Sequence, residues 1–257
     1  MEAATITILI GASIIRALEN NMNMANIKVI AKSGLTFNSN KMKEIVRSIQ
    51  QACQGHKSIN IAMHPLGNNL FPGIPRGKCY LKGPKPRPAI EMADYTICFL
   101  RNLEKLLPKD AKVKFNILPG MTRRRSKCSP KCKVCISYPH AAAKLARFEN
   151  RLKLNAPDNF TIISINQFSK FLQNKANSTR SVRKLLTQTD YRLRTEKISA
   201  FEHLKKQYSL ISGMLVRCRA HSKKVYTTDK THTCCPSSRN ALAKFIRSAL
   251  SQPCTII

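Results

Sequence analysis

Short apolar runs of β type alternate along this chain with longer segments in which apolar residues recur at helical spacing. The five strand candidates are Thr5–Ile10, Asn26–Ala31, Ser58–Met63, Lys112–Leu118 and Asn159–Ile165. This alternation predicts a parallel sheet with helices on both faces, because each crossover between parallel strands needs a helix-length connection. The 257 residues, 43% of them hydrophobic, are enough for one such domain with a sizeable core.

Four apolar stripes at helical spacing mark the crossover helices. They are Met42, Ile45, Val46, Ile49 and Cys53; Ile90, Ala93, Ile97, Leu100, Leu103 and Leu107; Ala141, Leu145, Phe148 and Leu152; and Leu242, Phe245, Ile246 and Leu250. The stretch Phe71–Pro88, with five prolines and three glycines, is a loop that follows the third strand. Loops at the carboxyl ends of strands line the sites of open α/β sheets, so this region is a first place to look for function.

The charge balance is strongly basic, with 45 Lys and Arg against 13 Asp and Glu and a formal net charge of +32. Such a surface attracts nucleic acid, anionic membrane faces or acidic partners. Ten basic residues and one acidic residue, Glu149, occur in Arg123–Lys153, and fourteen basic residues against three acidic ones occur in Lys170–Lys224. We expect a single domain over residues 1–257, with a basic, mostly helical insertion at about 170–225.

Ten scattered cysteines in a chain of this length do not form the pattern of a small disulfide framework, so we expect mostly reduced thiols. The apolar run near the amino terminus is too short to span a membrane, lacks a basic leader and follows Glu2. We therefore expect a soluble, intracellular protein without a transmembrane segment, and the nucleus is among the compartments that its charge allows.

Ser13 lies where the first strand turns into a helical segment, in the stretch TILIGASIIR. A serine at such a turn is most often an N-cap, whose hydroxyl satisfies a free backbone amide. Far along the chain, Asp229 and His232 stand in Asp-x-x-His spacing just before the final helix. An imidazole with a carboxylate behind it is the base and orienter that a serine nucleophile needs, so these residues give Ser13 a second interpretation.

Four sequence blocks in this order resemble the SGNH (GDSL-type) hydrolase family of esterases and lipases. The blocks are Gly11-Ala12-Ser13-Ile14, Ala31-Lys32-Ser33-Gly34, His64-Pro65-Leu66-Gly67-Asn68-Asn69-Leu70 and Asp229-Lys230-Thr231-His232. The family usually has aspartate where this chain has Ala12 and Leu70, and these departures bear on activity. The resemblance implies a three-layer α/β/α sandwich with a flavodoxin-like, five-stranded parallel sheet.

The resemblance also implies a Ser13, His232 and Asp229 triad that hydrolyses acyl esters without a required cofactor. The oxyanion donors that it implies are the backbone amides of Ser13 and Gly34 and the side chain of Asn69. If the alignment of the third block shifts by one residue, Asn68 takes the place of Asn69.

Cys128, Cys132 and Cys135 lie in Cys-x-x-x-Cys-x-x-Cys spacing, with His140 five residues further on. The same spacing occurs in radical-SAM iron–sulfur enzymes, but those resemble a larger α/β barrel with the motif after an early strand. Three thiolates and one imidazole suit a structural zinc site, although the spacing is only partly typical. Free cysteines in a basic loop explain the same residues, and both interpretations stay open.

A competing function from another class is an inactive hydrolase scaffold that binds nucleic acid or another polyanion through its basic surface. The net charge of +32 favours it, whereas the low aromatic content of 6% argues against a broad stacking platform for single strands. Of the remaining histidines, only His64, at the end of the third strand, lies near the expected pocket, where a substrate contact is possible but a structural role is the simpler interpretation.

Overall fold

The fold is a five-stranded parallel sheet with helices on both faces. The computed structural model describes residues 5–22, 24, 26–71, 88–121, 138–174, 180–195, 198–216 and 236–251. The strands are β1 (Ile6–Gly11), β2 (Ile27–Ala31), β3 (Ser58–Met63), β4 (Lys112–Ile117) and β5 (Phe160–Ile162). They pair in parallel in the order β2-β1-β3-β4-β5, which is the flavodoxin-like order. The predicted three-layer α/β/α class and its five strands are confirmed.

The helices of the described ranges follow or precede these strands. They are α1 (Ser13–Arg16), α2 (Asn40–Cys53), α3 (Gly67–Leu70), α4 (Ala89–Glu104), α5 (Tyr138–Asn155), α6 (Ile165–Gln173), α7 (Arg180–Thr195), α8 (Ala200–Val216) and α9 (Pro236–Ser251), with a 3-10 turn at Glu19–Asn21. Helix α4 packs beside α5 on one face of the sheet, and a hydrogen bond from Tyr95 to Asn38 joins it to the start of α2. On the opposite face, α9 contacts both α6 and the 3-10 turn.

The core forms from the predicted apolar stripes and from the central strand. Ile8, Leu9 and Ile10 of β1 are fully buried, because helices cover this strand on both faces. The prediction that Ile90 belongs to a buried stripe is wrong, because this residue in the first turn of α4 has 51% of its surface exposed. The buried stripe of α4 instead begins at Ala89, and Ile90 lies just outside it.

The strand order reverses between β1 and β3, since the chain first adds β2 on one side of β1 and then β3 on the other. Gly11 pairs with Ala31, and Ile10 pairs with Met63, so the three strands end at the same edge. In open α/β sheets, ligands bind in the crevice at this reversal, outside the carboxyl ends of the strands. The fold thus indicates a site among the loops that follow β1, β2 and β3.

Helices α7 and α8 fall within the basic region that the sequence suggests as an insertion. Helix α8 packs against α5 and α6, and Leu204, Tyr208 and Ile211 on it are buried. The limits of the domain and of the insertion stay predictions. In the described ranges, no helix is both long enough and apolar enough to cross a membrane.

Candidate active site

Ser13 is the first residue of α1, two positions after β1 ends. The N-cap position belongs to Ala12, whose side chain makes no capping bond, so Ser13 is not the cap of this helix. Its hydroxyl forms no hydrogen bond with any described residue, and its side chain is half-buried. The turn is tight because Gly11 lacks a side chain: a Cβ there would lie 2.3 Å from Cγ1 of Ile15.

Gly34 lies in the loop after β2 and has a φ of 72°, which a residue with a Cβ adopts only at a cost. The loop is joined to β1 by the backbone N–H of Lys32, which donates to the carbonyl of Gly11 at 3.2 Å. The ammonium of Lys41 donates to the carbonyl of Ser33 at 2.9 Å and fixes the other side of the turn. Gly34 therefore lies at the same edge of the sheet as Ser13.

Asn68 and Asn69 lie in the short helix α3 after β3, and both side chains reach toward the loop after β2. The amide nitrogen of Asn68 donates to the carbonyl of Leu35 at 3.2 Å. The amide oxygen of Asn69 accepts from the backbone N–H of Phe37, also at 3.2 Å. These two bonds connect the loop after β2 with α3, and both of these segments lie at the carboxyl edge of the sheet.

A small cavity lies beside Ser13, with a volume of about 20 Å³, which is room for about one water molecule. Its walls come from the loops after β1, β3 and β4 and from α5: Ala12, Ser13, Ile14, His64, Pro65, Gly67, Asn68, Leu70, Phe71, Gly120, Met121 and Leu145. Ser13 and Asn68 thus share this cavity, whereas Gly34 and Asn69 are not among its lining residues.

His64 lines the same cavity and is 3% exposed. Burial lowers the pKa of its imidazole to about 4, while a hydrogen bond to the backbone of Pro65 acts in the opposite direction. Proline has no backbone N–H, so the ring donates to the Pro65 carbonyl. The buried Nε2 has no hydrogen-bond partner in the described part of the chain, so Nδ1 is the donor. The neutral ring therefore keeps one acceptor nitrogen, Nε2, without a hydrogen bond from the described residues.

Sequence reasoning assigned His64 a structural role, because a histidine at a strand end carries no motif of its own. Its position directly after β3 already placed it near the expected pocket, and the structure adds that it lines the same cavity as Ser13. Gly120 and Met121 were also missed, since they follow β4 without any chemically distinctive side chain.

Ala12 and Leu70, where the resembling family usually has aspartate, are both buried and both line the cavity, with 7% and 1% of their surfaces exposed. A carboxylate in either place would lose its hydration and would need a polar partner. The apolar side chains therefore pack into the core and provide no charge to this edge of the sheet.

The wall formed by Gly120 is held by a buried polar cluster around Glu149 of α5. Its carboxylate accepts from the Ser164 hydroxyl at 2.6 Å, the Ile165 backbone N–H at 3.1 Å and the Tyr208 hydroxyl at 2.7 Å, and it pairs with Lys153 at 2.7 Å. Burial and the carboxylate of Glu149 hold the pKa of Tyr208 well above its ordinary range, while a hydrogen bond from the backbone of Gly120 acts the other way. Tyr208 thus connects α8 to the cavity wall.

Two groups of predicted residues lie outside the described ranges: Asp229 and His232 of the triad, and Cys128, Cys132 and Cys135 of the zinc hypothesis. His140 is exposed in the first turn of α5. Among the residues that the structure describes, no group of three or more His, Cys, Asp or Glu side chains could hold a metal ion. The triad and the zinc site stay predictions.

The sequence matches no protein-family model and no curated protein. Similar solved structures include a Streptococcus pneumoniae protein provisionally assigned as a platelet activating factor, at 11% identity and TM-score 0.47, over 97% of this chain and 85% of the other. The catalytic domain of peptidoglycan O-acetyltransferase A from the same bacterium is 16% identical at TM-score 0.34, over 75% of this chain and 94% of that domain. The lipase Lip_vut3 from a goat rumen metagenome is also 16% identical at TM-score 0.34, over 76% and 98%. At such low identity and TM-score, these likenesses carry no argument about activity.

Proposed function

We propose that this protein is a serine hydrolase that cleaves acyl esters, with Ser13 as the nucleophile. The observation that carries this proposal is the Ser13 hydroxyl, which borders a cavity at the carboxyl edge of the sheet and has no hydrogen bond within the described ranges. A hydroxyl that caps no helix and lies where ligands bind in this fold is available for chemistry.

The direction of α9 supports His232 as the base. Ser248, Ala249 and Leu250 at the end of α9 line a groove together with Ser58 and Lys112, the first residues of β3 and β4. A helix of 16 residues is about 24 Å long, which matches a strand of six residues, so α9 starts near the carboxyl edge. His232 precedes Pro236 by four residues, and chain connectivity limits the separation of their Cα atoms to about 15 Å.

In the proposed reaction, His232 takes the proton of Ser13, and Oγ forms a bond to the carbonyl carbon of the ester. The bond to the leaving alkoxide breaks, and the alkoxide takes the proton from His232. Water then repeats the sequence on the acyl-enzyme and releases the acid. Asp229 holds the imidazole in the required tautomer. The amides of Ser13 and Gly34 and the side chain of Asn69 stabilise the oxyanion. One such donor lowers the activation barrier by about 3 kcal/mol.

His64 is the competing candidate for the base, since it shares the cavity with Ser13. Its pKa of about 4 makes it a weak proton acceptor near neutral pH, and this favours His232. Ala12 and Leu70 leave their part of the cavity wall apolar, which favours an uncharged acyl group over a charged one.

A fluorophosphonate probe tests the proposal directly, since it reacts only with an activated serine. We expect labelling of Ser13 in the wild type, no labelling in Ser13→Ala or His232→Ala, and a weak remnant in Asp229→Asn, because the base is still present there without control of its tautomer. His64→Gln should still react. Ser48→Ala, in which the lost hydroxyl only donates to a carbonyl within α2, and His56→Ala, at the other end of β3, are the matched controls.

Hydrolysis of short-chain aryl esters provides the second readout for the same variants. A folded wild type that neither labels nor hydrolyses esters would show that Ser13 is not a nucleophile. Loss of labelling in His64→Gln, with His232→Ala fully reactive, would instead transfer the role of base to His64.

A further inference from the structure

A second concave site lies on the sheet face that α6 and α9 cover, and it runs from the amino ends of the strands to Asn116 and Ile163 near the carboxyl ends of β4 and β5. It is a groove of about 740 Å³ between the sheet and helices α6 and α9. Residues at the amino ends of the strands, Thr5, Ser58 and Lys112, form one end of it, and Lys170 and Phe171 of α6 form a wall. This volume is within the range of about 300 to 1,000 Å³ typical of ligand sites.

The floor of the groove is a polar sheet face, which is unusual in this fold. Strands of a parallel sheet that is covered on both sides are normally apolar throughout. In β4, however, Lys112, Lys114 and Asn116 line the groove, while Phe115 and Ile117, which alternate with them, are buried. Asn116 donates a side-chain hydrogen bond to Asn60 on the neighbouring strand β3. Packing of α6 and α9 does not require these polar residues, so they point to a ligand.

The groove is basic, and no described residue compensates its charge. Lys112, Lys114 and Lys170 line it, and none of the described residues in its lining is a carboxylate. None of the three lysines forms an ion pair with another residue of the described ranges. Lys112 and Lys114 are two residues apart on one strand, so their side chains leave the same face about 6.6 Å apart. They form a short row of positive charge that suits an anionic chain.

We propose that this groove binds a single strand of nucleic acid, with phosphates at Lys112, Lys114 and Lys170 and one base against Phe171. Phe171 is only partly buried, and its ring packs against Phe245 with the centroids 5.5 Å apart, which holds it in the wall. A base can stack on such a ring irrespective of its sequence. One aromatic platform and a groove of this volume suit a short stretch of strand and not a duplex. This site is separate from the proposed chemistry of Ser13.

Fluorescence anisotropy with a labelled oligothymidylate of twelve nucleotides tests the phosphate contacts. We expect Lys112→Ala/Lys114→Ala to bind at least tenfold more weakly in low salt and to lower the slope of log K against log salt by about 1.4, or 0.7 for each lost phosphate contact. The matched control is Lys43→Ala/Arg47→Ala, which removes two exposed basic residues from α2 on the other face of the sheet. It should leave both affinity and slope close to wild type.

Phe171→Leu tests the stacking contact, and we expect at least about fivefold weaker binding with an unchanged salt slope. A duplex of the same sequence should compete poorly. Circular dichroism melting of each variant distinguishes lost contacts from lost structure. Equal losses in the groove and control double variants would overturn the proposal, since binding would then follow net charge alone. Equal affinity for strand and duplex, or an unaffected Phe171→Leu, would also overturn it.

Discussion

The backbone N–H of Phe37, in the loop after β2, donates to the side-chain oxygen of Asn69 in α3 across 3.2 Å. An amide whose oxygen is engaged in this way presents its NH₂ group in the opposite direction, as a donor. In Asn68 the nitrogen is already engaged by the carbonyl of Leu35. This difference favours Asn69 as the oxyanion donor of the proposed hydrolase, and Asn68, which lines the cavity beside Ser13, is the competing donor.

We therefore expect Asn69→Ala to lower kcat for an aryl ester by about 100-fold to 1,000-fold, as loss of an oxyanion donor does elsewhere. KM should change little, since the donor acts mainly on the transition state. Steady-state kinetics with a short-chain nitrophenyl ester measures both. Asn68→Ala is the matched control, and a larger loss of kcat there than in Asn69→Ala would reverse the assignment.

The buried imidazole of His64 predicts a loss of stability in mild acid. Its folded pKa of about 4 lies below the ordinary value of 6.5, so the unfolded chain takes up a proton first as the pH falls. The stabilisation is complete above pH 6.5 and is lost between there and about pH 4, by an amount on the order of 3 kcal/mol.

Urea unfolding at a series of pH values measures this effect. In His64→Leu, the decrease in the free energy of unfolding between pH 6.5 and 4 should be smaller than in the wild type. His56→Leu, on the exposed turn before β3, should keep the wild-type profile. A parallel decrease in wild type and His64→Leu would mean that other groups cause the acid sensitivity.

Tyr208→Phe should destabilise the fold by about 1 to 3 kcal/mol, because it removes a donor from the buried carboxylate of Glu149 and an acceptor from the backbone of Gly120. Chemical denaturation measures the loss. Tyr95→Phe makes the same chemical change at an exposed ring and should stay within about 0.5 kcal/mol of wild type. Equal effects of the two changes would show that the cluster around Glu149 adds no net stability.

Gly11→Ala should cost more than about 2 kcal/mol, since the new Cβ would lie 2.3 Å from Cγ1 and 2.6 Å from the Cβ of Ile15, atoms that cannot move aside without shifting α1. Thermal melting reports the cost, and the labelling of Ser13 reports displacement of the turn. Gly55→Ala is the comparison. The φ of 76° strains an alanine at this position, yet its Cβ would meet nothing within 4 Å. A smaller loss at Gly11 than at Gly55 would contradict the steric argument.

Much of the architecture could be predicted from the sequence because burial imposes a period on it. The apolar runs around Ile8 and Ile61 predict central strands, and the apolar stripe at Leu145, Phe148 and Leu152 predicts α5. Ile90 was misassigned because its spacing fits the stripe, whereas its neighbour Ala89 is the residue of the first turn that faces the core. Side-chain partnerships are another matter: no local pattern connects Glu149 to Tyr208, fifty-nine residues apart.

The residues at the carboxyl edge of the sheet were predicted from the sequence, but the basic groove was not. The positions of Ser13 and Gly34 followed from the predicted ends of β1 and β2. In a parallel sheet, the residues that follow each strand lie at the same edge. The lysines of β4 carried a signal that was available but unused: the alternation of Lys112, Lys114 and Asn116 with buried residues is that of a half-exposed strand, in a fold whose strands are usually buried on both faces.

The contact of Tyr208 with Glu149 bears on whether the basic region at about 170–225 could be removed from this chain. Its basic composition predicts an insertion, and an insertion of that kind could be removed without harm to the rest of the fold. Yet Tyr208 lies inside that segment and supplies one of the hydrogen bonds that a carboxylate in the main body depends on. Deleting the segment would leave Glu149 buried and short of a donor beside the cavity wall. The segment is therefore not dispensable to the fold, because a buried carboxylate outside it depends on Tyr208 for a hydrogen bond.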